Sequence, residues 1–179
     1  LLLYRRGKFA EAEPFFRRAI QSLTRRNPNP YDGEPLYNLG LSLKMQDRFV
    51  EAVDAFYKAT WSAAWQGAGF FELARLASRA GRLDEALDLV VRALQRNWTH
   101  HKARHHKIAL LRRLGRRDQA LAEIKLALEL DRMEYGALYE QDLLTDGAQF
   151  KTLTSDFSNP VVELALDYAH FGFFSEAEM

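Results

Sequence analysis

The sequence predicts an all-α protein, an α-solenoid of antiparallel helix pairs, and three observations predict it. Four stretches align under one another: "GKFAEAEPFFRRA" from Gly7, "DRFVEAVDAFYKA" from Asp47, "GRLDEALDLVVRA" from Gly81 and "GRRDQALAEIKLA" from Gly115. The starts at 47, 81 and 115 lie 34 residues apart, and a fifth stretch, "GFFSEAEM", begins at Gly172. Alanine recurs five residues after each start, at Ala12, Ala52, Ala86, Ala120 and Ala177, and seven further on at Ala19, Ala59, Ala93 and Ala127. A fixed period of this size marks supersecondary units that bury a core only by stacking on their neighbours.

Each element has a physical reason. The opening Gly permits the positive φ that ends one helix and turns the chain back. The segment after it carries apolar residues at helical spacing, as in Leu83, Ala86, Leu87, Val90, Val91 and Leu94. The small alanines share one face and let a neighbouring helix approach closely. Upstream of each turn lies another amphipathic helix, such as "LYNLGLSLKM" or "FFELARLASRA". The first gap is 40 residues, with "RRNPNPYDGE" supplying the surplus.

These residues resemble the tetratricopeptide repeat. The first-helix pattern is met by Leu36, Leu39, Gly40 and Leu43, by Phe70, Leu73, Ala74 and Ala77, and by Val161, Leu164, Ala165 and Tyr168. The second-helix signature is met by Ala12, Phe16 and Ala19 and by Ala52, Phe56 and Ala59. The resemblance implies a right-handed superhelix with first helices on the concave side. It places complete repeats at 33–66, 67–100 and 101–134, partial ones at 1–32 and 158–179, and an irregular helix and loop insertion at 135–157. A chain cut within a helix at both ends is the expectation, with self-association through those ends. Residues 56–74 and 102–116, with "ELALDYAHFGFFSEA", are also similar to the C-terminal repeat region of large bacterial proteins. Those carry a β-rich region like that of carbohydrate-active enzymes.

Composition narrows the function. The 179 residues carry net charge +1, which selects no class of partner. Charge is unevenly placed: Arg96 to Arg117 holds eight Lys/Arg and no acid, whereas Glu134 to Met179 holds nine Asp/Glu and one Lys. No cysteine is present, which excludes disulfides, thiolate zinc sites and cysteine nucleophiles. The longest uncharged stretch, Ala59 to Phe71, is 13 residues, too short to span a bilayer. There is no phosphate-cradling glycine loop, nucleophile elbow or zinc-protease helix, so no catalytic residue and no cofactor is expected. A cytoplasmic location is the expectation.

The groove stripe of each first helix is what remains after packing positions are assigned. It comprises Tyr37, Leu41, Lys44 and Met45, then Phe71, Arg75, Ser78 and Arg79, then His105, Ala109, Arg112 and Arg113. Each set follows i, i+4, i+7, i+8 spacing and so shares a helical face. Aromatic anchors beside arginines predict docking of a peptide or protein segment with acidic groups, since Arg pairs carboxylates bidentately. The other reading is an accessory helical module of a larger bacterial, carbohydrate-acting enzyme.

His100, His101, His105 and His106 cluster at the start of the third repeat. His101 and His105 are i, i+4 neighbours, but two ligands without a nearby carboxylate do not make a zinc site, so no metal is expected. The basic stretch is an electrostatic footprint for nucleic acid, yet the near-zero net charge and acidic tail argue against such a partner. Arg104 and Lys107 fall on positions the pattern reserves for apolar residues. Either their stems cover the neighbour while their charges reach water, or the helix is rotated. Trp61 and Trp65 are expected to pack between repeats.

Overall fold

A computed structural model describes residues 1–28 and 31–178. Asn29 and Pro30, part of the surplus in the first gap, lie outside the described residues. The chain forms two compact units, Leu1–Leu73 and Ala74–Met179. The described residues contain helices and no strand.

The first unit contains α1 (Leu2–Arg5), α2 (Phe9–Thr24), α3 (Glu34–Lys44) and α4 (Phe49–Ala59). A short 3₁₀ turn at Ala63–Trp65 leads into α5 (Gln66–Arg79), within which the first unit ends. Successive helices pack on one another. Ala12, Ala52 and Ala59 are at most 2% exposed. A Cβ on Gly40 would stand 2.6 Å from the Phe56 ring, so α3 and α4 meet as closely as the small residues allow.

The second unit contains α6 (Leu83–Arg96), α7 (His101–Arg113), α8 (Arg117–Leu130), α9 (Tyr135–Thr145), α10 (Gln149–Leu153), α11 (Ser158–Phe171) and α12 (Phe174–Ala177). Ala86, Ala93, Ala120 and Ala127 are buried at its hairpin contacts. The stretch 135–157 is thus largely helical, with its own turn at Asp146 (φ 53°). No alanine stands five residues beyond that turn, and α10 extends for only five residues.

Each predicted turn adopts the left-handed conformation: Gly7, Gly81, Gly115 and Gly172 have φ of 72–80°, and Asp47 has φ 57°. The residue after each turn donates its N–H back to the helix it leaves, as in Arg48 to Leu43, Arg82 to Ala77, Arg116 to Leu111 and Phe173 to Tyr168, at 2.9–3.0 Å. This satisfies a carbonyl that the helix end would otherwise orphan. Asp47 alone bears a Cβ in this series. Asp47→Gly is expected to stabilise the chain by about 1 kcal/mol, raising the thermal midpoint by roughly 3 °C. A midpoint unchanged or lowered in calorimetry would contradict that account.

A second regularity is polar. Lys44 Nζ donates to Glu72 Oε2 at 2.5 Å, Ser78 Oγ meets His106 Nε2 at 2.7 Å, and Arg112 Nε donates to Glu140 Oε2 at 2.5 Å. Each pair spans 28 residues and links the end of one first helix to the middle of the next. All three acceptor-side residues are buried. Within each unit the stacking register is therefore set by polar contacts of this kind as well as by apolar packing.

Candidate docking faces

In the first unit, the α3 stripe lies at the surface as an apolar strip. Tyr37 stands against Trp65 at 4.9 Å and Phe56 at 5.6 Å between ring centroids. Leu41 is partly exposed and Met45 is 52% exposed. Lys44 is held by Glu72. Phe71 is buried at 7% exposure and contributes to the core, since α5 packs through both of its phenylalanines. Trp61, expected to pack, is 58% exposed, whereas Trp65 packs on Tyr37.

The second unit brings together Arg79, His105, Arg112 and Arg113, but a segment of the same chain lies on them. Phe171, at the end of α11, stacks flat on the His106 ring at 4.1 Å and 6°. Phe173 lies under the Arg113 guanidinium at 4.2 Å, and Phe174 under that of Arg79 at 5.6 Å. Glu176 accepts from Arg112 at 2.9 Å and from Arg113 at 2.8 and 2.9 Å. A Cβ on Gly172 would stand 2.6 Å from Arg79 Cα, so the turn before α12 sits directly on the end of α5. Arg75 is half-buried on the same α5 stripe.

His105 is therefore a correction. It is 1% exposed, its ring edge-on to Tyr168 at 4.9 Å and close to Phe171 at 5.2 Å. The reason is covering and not rotation. Arg104 and Lys107 still face α8, where both pair with buried Glu123, Lys107 at 2.5 Å. Arg104 also donates to the Trp98 carbonyl at 2.6 Å. Both charges are held by one buried carboxylate; Arg104 is buried with it, and Lys107 stays partly exposed. α7 is thus packed among α6, α8 and α9, and the rings of Tyr168, Phe171 and Phe173 close over His105 and His106.

Burial sets the protonation of this cluster. Desolvation, with the nearby charges of Lys102 and Arg112, lowers the His105 pKa to about 3. Burial also holds His106 well below the usual imidazole range, helped by the charges of its neighbours. Glu140, fully buried, is pushed up by desolvation, which Arg112 and the Tyr168 hydroxyl oppose through hydrogen bonds. For Glu176 burial acts upward, but Ser175, Arg112 and Arg113 outweigh it and hold the carboxyl below its ordinary value.

The histidine run divides by role. His100 caps α7, accepting at Nδ1 from the Ala103 N–H at 3.1 Å. His101 is exposed, and His105 and His106 are core. Among the described residues no three His, Asp or Glu side chains converge on a metal position. The basic stretch around α7 is largely consumed by acids of the same unit: Lys102 pairs with Asp167, and Arg116 with Asp84. No sequence signal from α7 alone shows this. The acidic run in the last third of the chain was the available clue.

Helical hairpins in a 34-residue period, closed by left-handed turns and small-residue contacts, define an all-α repeat protein of solenoid type. The chain carries tetratricopeptide repeats: residues 1–26 and 68–92 each match a tetratricopeptide repeat family model. Solved structures are similar in fold. A tetratricopeptide repeat protein from Parabacteroides merdae superposes with a TM-score of 0.71 at 19% identity, over 98% of this chain and 72% of that one. YrrB, a TPR protein described as having an unusual peptide-binding site, gives 0.62 at 17%, over 89% and 87%. MamA gives 0.57 at 17%, over 98% and 86%. No helix among the described residues is long and apolar enough to cross a membrane.

Proposed function

We propose that the chain is a non-enzymatic docking module that binds extended or helical partner segments at its first-helix stripes, each unit offering its own face. A segment on the first unit presents apolar side chains to Tyr37, Leu41 and Met45, and one on the second presents acidic groups to the arginines of α5 and α7. One observation supports this reading above the others. Arg112 and Arg113 already hold a carboxylate, that of Glu176, in the pairing an acidic partner would make. The α3 stripe adds the apolar part, since half-buried Tyr37 and Leu41 and exposed Met45, at i, i+4 and i+8, suit anchors spaced along a partner helix or strand.

The test uses a displayed peptide library selected against the chain. Leu41→Glu with Met45→Glu is expected to weaken the selected segments at least tenfold (about 1.4 kcal/mol) while leaving the helical circular dichroism unchanged. Segments that bind this variant as tightly as the parent chain would overturn the proposal.

A further inference from the structure

We infer that the α5–α7 face of the second unit recognises a segment with closely spaced aromatics followed by a carboxylate, and that residues 171–176 occupy it in cis. The inference rests on the docking reading above and names the ligand and the control of that site.

The occupant meets the face through anchors at four of its six positions. Phe171 takes the His106 ring, Phe173 the Arg113 guanidinium, Phe174 the Arg79 guanidinium, and Glu176 both Arg112 and Arg113. These are aromatic stacking, two cation–π contacts and a charge-assisted pair, the interactions that give selectivity to peptide recognition. Gly172 makes the sequence of anchors possible. With φ 80° it reverses the chain between Phe171 and Phe173, so that both rings reach the same face.

The anchors are graded in burial. Phe171 and Phe173 are 1% and 2% exposed, whereas Phe174 is 53% exposed and Glu176 sits at the edge. The outer part is held mainly by guanidinium contacts and can yield first. A segment in cis acts at an effective concentration of about 1 mM, so a partner with the same chemistry competes against a tethered copy of its own motif. Docking at this face is then switched by release of residues 171–176.

The probe is a fluorescent peptide of residues 168–178, YAHFGFFSEAE. It is titrated by anisotropy into the full chain, into Phe173→Ala with Glu176→Gln, and into that double variant with Arg113→Glu added. The double variant is expected to bind the peptide at least tenfold more tightly than the unaltered chain, and Arg113→Glu to remove the gain. A double variant that keeps helical circular dichroism and cooperative unfolding yet binds no peptide up to about 1 mM overturns the inference. So does a gain that survives Arg113→Glu. If the double variant fails to fold, Glu176→Gln alone is expected to give at least threefold tighter binding, and affinity equal to the unaltered chain overturns it. A chain that rejects this peptide but still selects segments on Tyr37, Leu41 and Met45 keeps the docking role and loses only the cis occupant.

Discussion

Glu140→Ala is expected to cost about 3–5 kcal/mol of stability, the largest effect of any single substitution in the second unit. The Glu140 side chain is fully buried and accepts from Arg112 Nε and from the Tyr168 hydroxyl, each at 2.5 Å. Removing it leaves the Arg112 charge with Glu176 as its remaining carboxylate and strands the Tyr168 hydroxyl in the core. Breaking a buried network from one side costs more than the pair contributes, so the asymmetry is itself testable. Arg112→Met with Glu140→Leu removes both charges and is expected to recover most of the loss. Urea unfolding measures both variants. A Glu140→Ala cost below about 1 kcal/mol, or a double variant no better than the single one, would refute this account of the network.

Acidification supplies the second large effect. The fold holds His105 and His106 neutral, whereas the unfolded chain protonates both near 6.5. Below that pH the unfolded state binds more protons, so stability is complete above 6.5 and falls as pH drops toward the folded-state value, about 3 for His105. Each buried imidazole removes about 1.4 kcal/mol per pH unit in this window. Burial raises the pKa of Glu140 and Glu134, which acts in the opposite direction once those carboxyls begin to protonate. Between pH 6.5 and 5 the histidines dominate: His105 alone accounts for an expected loss of roughly 2 kcal/mol, and His106 adds to it in the same direction. His105→Gln is expected to be less stable at pH 7 but to show a shallower slope. An equal slope in the variant would mean that His105 does not carry its share.

Much of the fold is legible in the sequence because each turn advertises itself twice, by a residue that tolerates positive φ and by an alanine five positions later. Asp47 was read correctly despite its Cβ because the alanine at Ala52 kept the register. The docking face was legible only in outline. Stripe positions follow from helical spacing, but spacing is blind to later elements packing over the stripe: Gly136 of α9 lies against the His105 ring, and Tyr168 and Phe171 close over it. Arg104 and Lys107 misled for a related reason. An apolar template reads them as exceptions, whereas Glu123 on the following helix neutralises both.

The polar pairs 28 residues apart have a consequence for how such a chain can evolve. The three are chemically unlike, Lys with Glu, Ser with His and Arg with Glu. Excising residues 67–100 would preserve the period and the apolar template yet set the Lys44 ammonium opposite the neutral ring of His106. Duplicating 101–134 would present Arg112 with a second histidine in place of its carboxylate. The modules are alike in shape but not interchangeable, so growth or loss by whole units carries a mismatch that only compensating substitutions 28 positions away can repair.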